Sequence, residues 1–116
     1  METVTLDDIA QRVAEYLGLD AEGASIVPSD RRTIDNAAGD IAASLKQDGV
    51  ISYSLDTFPR YLLIPFARLV AAEAADGCNV VNPQEAMAKA AGQEAEIRRL
   101  EFGRDQRGTC DASVYL

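Results

Sequence analysis

The sequence contains no histidine and no tryptophan, and aromatic residues make up only 6% of it. Without histidine, the commonest general base of enzymes is missing and a zinc site built from cysteine and histidine is excluded. The chain also lacks a glycine-rich phosphate loop and a nucleophile elbow. We therefore expect a protein that is not an enzyme and that uses no cofactor and no metal.

Cysteine is scarce as well, since Cys78 and Cys110 are the only two in the sequence. They match no zinc-binding spacing, and in a cytosolic product we expect free thiols. No apolar run reaches about 18 residues without a charge, so we expect no contact with a membrane. The first residues, METVTLDD, lack the basic and apolar regions of a secretory signal.

Basic residues are outnumbered, with 11 against 19 acidic ones and a net charge of −8. A phosphate backbone repels such a chain, so ordinary nucleic-acid binding is disfavoured. Much of the excess lies before residue 29, where Asp7, Asp8 and Glu15 belong to an acidic group whose only basic neighbour is Arg12. This surface is either a solvated helix face or one that meets a basic partner or lets DNA pass without sticking.

The residues that are present favour packed helices. Apolar residues make up 47% of the 116 positions and alanine is abundant, which is typical of one small folded domain. Residues 58–78 are the most apolar stretch, and their wide apolar band predicts a central helix surrounded by others. The predicted fold class is all-α: a four-helix bundle-like domain at 1–102, with an extended loop before helix 3 and an extended tail at 103–116.

Local signals place the helix ends. Thr5 and Asp8 form a capping-box pattern for a helix over 6–17, and Gly18 can end it. A second helix is predicted over 30–48, with Ser29 as its N-cap and Gly49 at its end. Gly39 inside that helix is expected to mark tight packing. Asn82-Pro83 predicts the start of a fourth helix that runs to about residue 102.

The segment before the central helix is harder to interpret. Residues 50–57 alternate in polarity, with Ile51, Tyr53 and Leu55 as apolar members, which is a strand period. One strand leaves its edges unpaired, so we expect an extended loop or a strand that pairs with another chain. Pro65 indicates either one kinked helix or a short turn followed by a helix from Pro65, and we favour the kinked helix.

The last residues combine a polar run with an apolar end. Residues 103–113 show no periodicity, and Val114, Tyr115 and Leu116 follow them. A frayed terminus is one interpretation. The other is a docking segment that inserts into a partner, with Tyr115 as its anchor.

The order of these elements resembles that of the head–tail connector (adaptor) proteins of tailed bacteriophages. The resemblance rests on an early helix, an alanine-rich second helix and an extended lead-in that ends at Pro59. It also rests on the stretch LVAAEAA at 69–75 closed by Gly77, and on the final-helix stretch EAEIRRL at 94–100. An aromatic residue near the end, Tyr115, completes it.

This resemblance implies a homo-oligomeric ring, usually of twelve subunits, in the virion neck. Such a ring docks under the portal protein through its C-terminal segment, here Val114, Tyr115 and Leu116, and meets the tail or a second neck protein on its far face. DNA passes through the lumen without specific binding. The subunits are made in the host bacterial cytoplasm.

Two further expectations accompany this ring. Asp7, Asp8 and Glu15 are candidates for its lumen, because DNA must traverse the wall without binding to it. Ile51, Tyr53 and Leu55 are candidates for a strand that pairs with another subunit or with the portal. A second hypothesis is a small acidic helical module, of the regulator or antitoxin kind, that masks a basic partner.

Overall fold

The computed structural model describes residues 2–19, 26–78, 80 and 82–109, and for 103–109 only the helical backbone. Within this part of the chain the fold is all-α, as predicted. The five helices are α1 (Leu6–Leu17), α2 (Pro28–Gln47), α3 (Leu63–Ala74), α4 (Pro83–Ala90) and α5 (Gln93–Thr109). Two short strands, β1 (Thr3–Val4) and β2 (Phe58–Pro59), and two 3-10 turns, Leu55–Thr57 and Arg60–Leu62, complete the described elements.

The first helix has the predicted bounds and the predicted cap. The Asp8 backbone N–H donates to Thr5 Oγ1 at 3.4 Å, and the Thr5 backbone N–H donates to the Asp8 carboxylate at 3.0 Å. Gly18 ends the helix at φ 74°, in the left-handed region that glycine adopts without strain. The buried face of α1 consists of Ile9, Ala10, Val13 and Ala14.

The second helix begins earlier than predicted. Pro28 occupies the first turn and Val27 precedes it without a side-chain cap bond, so the prediction of Ser29 as N-cap is wrong. Proline is favoured there because its missing N–H would have no helical partner. Gly49 lies just beyond the helix end at φ 76°. The Val50 N–H bonds the Leu45 carbonyl at 2.9 Å, which closes the turn that Gly49 makes possible.

The segment that leads into α3 differs from the favoured prediction of one kinked helix. The 3-10 turn ends at Leu62 and α3 starts at Leu63, so Pro65 lies in the first helical turn. Backbone N–H groups in that turn have no helical acceptor, and proline therefore removes no hydrogen bond and causes no kink there. Residues 51–54 form a loop without regular secondary structure, as predicted, but the predicted extended stretch does not continue to residue 57, because Leu55–Thr57 form a 3-10 turn.

A two-stranded antiparallel pair joins the start of the chain to this lead-in. Thr3 pairs with Pro59 and Val4 with Phe58. The ring of Phe58 packs against Phe66 of α3, with centroids 4.5 Å apart, and both side chains are fully buried. This contact positions the N-terminal end of α3 in the core.

The third helix is central, as its apolar band predicts. It packs against α1, α2, α4 and α5. Seven of its twelve residues are buried: Leu63, Pro65, Phe66, Ala67, Val70, Ala71 and Ala74. Glu73, by contrast, is exposed. The alanines allow neighbouring helices to approach closely, which explains how a domain with few aromatics fills its core.

The prediction of one fourth helix to residue 102 is wrong in two respects. The helix breaks after Ala90, where Ala91 becomes extended and Gly92 takes φ 81°, giving separate helices α4 and α5. Asn82 caps α4 as expected, since its side-chain oxygen accepts from the Glu85 N–H at 3.3 Å. Helix α5 then continues to Thr109, into the segment predicted as tail. Val114, Tyr115 and Leu116, together with Cys110, lie outside the described residues.

Gly39 lies at a position of α2 where a side chain would have room, and a substitution there tests this description. The prediction of tight packing there is wrong, because Gly39 is exposed and a Cβ atom built on it meets nothing within 4 Å. Gly39→Ala should therefore raise the free energy of unfolding by about 0.5–1 kcal/mol, through lower backbone entropy in the unfolded chain. Urea denaturation followed by circular dichroism measures this change.

Gly77→Ala is the matched control for that substitution. A Cβ atom at Gly77 would lie 2.7 Å from Thr33 Cγ2, and Thr33 is held in place because its hydroxyl donates to the Ser29 carbonyl at 3.1 Å. This variant should be destabilised. A loss of stability in Gly39→Ala, or a gain in Gly77→Ala, would contradict the described packing of α2.

Candidate protein interaction surface

Helix α5 has a narrow apolar attachment to the domain. Ile97 is fully buried and Leu100 is half-buried against the core. Most other residues of the helix are polar, so it lacks the broad apolar stripe by which a helix usually docks. Its position therefore depends strongly on polar contacts.

The main polar attachment is a cluster of Tyr53, Tyr61 and Glu101. The Tyr53 hydroxyl donates to Glu101 Oε1 at 2.9 Å, the Tyr61 hydroxyl donates to Glu101 Oε2, and the two hydroxyl oxygens are 3.3 Å apart. These residues come from the extended loop, the second 3-10 turn and α5. Because the acceptor is a partly buried carboxylate, each bond is stronger than one between neutral groups.

The outer side of α5 carries an exposed aromatic residue beside two cations. Phe102 is 64% exposed, the most of any large apolar side chain in the described part of the chain. Arg98 lies one turn earlier, where it bonds Glu94 at 2.9 Å and approaches Asp48 at 3.6 Å. Arg99 pairs with Glu96. We call Arg98, Arg99 and Phe102 the α5 patch; arginine and aromatic residues are enriched in protein interfaces.

The residues predicted to form a partner strand are used inside this chain. Ile51 is buried in the core, and Tyr53 and Leu55 are half-buried against it. That these residues pair with another chain stays a prediction. Because their side chains pack inside this chain, such pairing would have to use the backbone N–H and C=O groups of the loop. No sequence pattern assigned a functional role to Glu101 or Phe102. Phe102 could have been recognised in the sequence, because it is an aromatic residue that lies off the apolar stripe of Ile97 and Leu100 in an otherwise polar helix.

The predicted acidic surface of α1 is exposed, but its charges have partners. Asp7 pairs with Arg31 at 2.7 Å, and Arg31 also bonds Asp35 at 2.8 Å. The hydrogen bonds that Arg31 donates, to Asp35 first and to Asp7 second, raise the pKa of its guanidinium above the ordinary value. Asp8 serves the helix cap, and Glu15 approaches Arg12 at 3.5 Å. The structure therefore does not gather Asp7, Asp8 and Glu15 into one unpaired cluster.

A second surface lies between the end of α1 and the start of α4. We call it the α1–α4 groove. Its apolar members are Tyr16, Leu17, Val80 and Ala86, and its polar margin includes Glu15, Asn82 and Glu85. A groove that combines apolar side chains with carboxylates suits a partner that presents an apolar group beside basic ones.

Metal-ligand clusters and membrane-spanning helices are absent from the described residues. Nowhere in residues 2–19, 26–78, 80 and 82–102 do three or more His, Cys, Asp or Glu side chains converge as a metal site would require. None of the helices in these ranges is long and apolar enough to cross a membrane. Cys78 is buried. Burial, and secondarily the charge of Asp30, raise the pKa of its thiol.

Removal of the Glu101 carboxylate should loosen α5. Glu101→Ala leaves the Tyr53 and Tyr61 hydroxyls without their acceptor, which should lower the free energy of unfolding by about 1–3 kcal/mol. Amide hydrogen exchange should accelerate in α5 more than in α3. Glu94→Ala is the control, because its exposed pair with Arg98 should contribute less than about 1 kcal/mol. Equal effects of both variants would contradict the role given to the cluster.

Cys78 should react slowly in the native protein. In a Cys110→Ser background, its burial and raised pKa keep the thiolate fraction low at pH 7, and the thiolate is the reactive form. Titration with a chromogenic disulfide reagent should give slow reaction in buffer and rapid reaction in urea. Similar rates in both conditions would show that Cys78 is accessible.

Comparison with known proteins gives no match that would assign these surfaces. No protein-family model matches the chain, and no curated protein or solved structure matches it either. A function has to be argued from the fold, from the charge distribution and from the surfaces of α1, α4 and α5.

Proposed function

We propose that this chain is a head–tail connector subunit of a tailed bacteriophage. In this role it forms a homo-oligomeric ring that docks under the portal protein and joins the capsid to the tail. The observation that carries the proposal is helix α5. It is attached to an all-α domain through a few side chains, bears the exposed Phe102 beside Arg98, and continues to Thr109.

Such a helix is suited to assembly because it can contact other proteins without disturbing the core. Its apolar attachment is limited to Ile97 and Leu100, and its polar attachment centres on Glu101. Elements with few buried contacts open at low free-energy cost. The C-terminal residues Val114, Tyr115 and Leu116, which follow α5 in the sequence, are the proposed contact with the portal.

The charge of the chain is consistent with a passage for DNA. The net charge is −8, and Asp7, Asp8 and Glu15 are all exposed on α1. A lumen wall with excess negative charge repels the phosphate backbone, so DNA slides through without binding. We place the start of α1, with Asp7 and Asp8, at the lumen, the C-terminal segment at the portal, and the opposite face against the tail or a second neck protein.

The alternative is an acidic helical module that masks a basic partner. That function needs an acidic surface whose charges are free to pair with the partner. Here Asp7 already pairs with Arg31, and the Asp8 carboxylate accepts from the Thr5 backbone N–H in the cap of α1. We therefore rank this alternative second, and it is an outcome that the following experiment can detect.

Co-expression with candidate portal proteins tests the connector proposal. A portal ring should retain the wild-type chain through purification, and electron microscopy should reveal an added ring on one face. Deletion of 110–116, or Tyr115→Ala, should reduce retention at least about tenfold, because a buried aromatic anchor contributes strongly to binding. Ser113→Ala is the matched control and should behave as wild type.

The deletion and Tyr115→Ala should leave thermal unfolding unchanged, since the described core does not include these residues. If no portal ring retains the chain, or if removal of 110–116 changes nothing, the connector proposal is wrong. Recovery of the chain in a stable binary complex with a basic protein outside any virion would favour the alternative.

A further inference from the structure

The α5 patch and the α1–α4 groove have complementary side chains. The α5 patch places an exposed aromatic ring beside two cations. The α1–α4 groove combines apolar side chains with the carboxylates of Glu15 and Glu85. A chain that carries both halves of such a pair can bind a second copy of itself.

The groove offers contact area and charge together. Leu17, Val80 and Ala86 supply its apolar lining, and Tyr16 adds an aromatic wall. The carboxylates at its margin are accessible, since the side chains of Glu15 and Glu85 are 52% and 62% exposed. An apolar side chain of a partner would therefore be removed from water against this lining, while cations beside it pair with the two carboxylates.

The α5 patch has the matching arrangement. Arg98 and Arg99 precede Phe102 by four and three positions, which places all three side chains on neighbouring parts of one helix face. Phe102 and Arg98 also line one open cleft beside Asp48 and Gly49. Phe102 therefore does not occupy the groove of its own chain, and an occupant of the groove has to come from another molecule.

The existing ion pairs do not prevent this contact. Glu15 pairs with Arg12, Glu85 with Lys89, and both arginines of the patch pair within α5. These pairs lie at the surface, where ion pairs contribute little to stability. They can exchange for pairs between copies at small cost, while burial of Phe102 supplies the favourable term.

We propose that the α5 patch of one copy docks in the α1–α4 groove of a second copy. The two surfaces differ, so the contact is heterologous and continues from copy to copy, which closes a ring when the rotation permits. This inference deepens the proposed function, on which it rests for the ring. It assigns Phe102 as the anchor, and Glu15 and Glu85 as partners of Arg98 and Arg99.

Charge reversal tests the pairing directly. We expect the full chain to self-associate in a concentration series up to about 1 mM, followed by sedimentation velocity. Arg98→Glu/Arg99→Glu and Glu15→Arg/Glu85→Arg should each weaken association at least about tenfold, because like charges then meet. A mixture of the two variants should regain assembly, since each surface then finds an opposite one.

Phe102→Ala tests the anchor without disturbing the core, because the side chain is already exposed in the single copy. It should weaken association at least about tenfold. Ile64→Ala is the matched control, since Ile64 is 46% exposed and belongs to neither surface. Its association should equal that of the wild type. Circular dichroism should give the same thermal unfolding for Phe102→Ala and Ile64→Ala as for the wild type.

Photo-crosslinking can detect the contact even if association is too weak to be measured by sedimentation velocity. With Phe102 replaced by benzoylphenylalanine, irradiation at high concentration should link position 102 to residues 15–18 or 82–86 of another copy, as identified by mass spectrometry. Crosslinks elsewhere, no crosslinks, or no rescue in the mixture of reversed variants would overturn the inference. Retention on a portal ring despite such a result would leave the connector proposal standing, so the two can fail separately.

Discussion

The apolar surface of α3 has to be covered on several sides at once, and the arrangement of the other helices follows from this requirement. Helices α1, α2, α4 and α5 all pack against α3. Alanine residues such as Ala67 and Ala71 let them approach closely, and Phe58 covers Phe66 at the N-terminal end. Since the central helix serves packing in this way, the surfaces available for function are those that the outer helices present.

The outer helices are attached to α3 by different means. Helix α1 contributes a compact apolar face that includes Ile9 and Val13, and its ends are capped by local hydrogen bonds. Helix α5 contributes Ile97 and relies on the carboxylate of Glu101 between two tyrosine hydroxyls. Such a polar attachment requires all three side chains, so a change at Glu101 should alter the position of α5.

Acidic side chains pair locally with basic ones, yet the chain keeps a large overall excess of negative charge. Arg31 joins α1 to α2 through Asp7 and holds Asp35 on its own helix. These pairs connect parts of the fold locally, and they leave the net charge of −8 intact. The proposed long-range repulsion of DNA and the proposed exchange of ion pairs between copies are therefore compatible with each other.

The sequence by itself determined the elements whose signals are local. Thr5, Asp8 and Gly18 predicted both ends of α1, because capping bonds join residues only a few positions apart. The wide apolar band at 58–78 likewise predicted the central helix. Only the tertiary structure established where the lead-in ends and that the predicted fourth helix divides at Gly92. It also established that Tyr53 and Tyr61 bond Glu101, across separations of 48 and 40 residues. Contacts between residues so far apart depend on how the helices pack around α3, and no local pattern in the sequence encodes them.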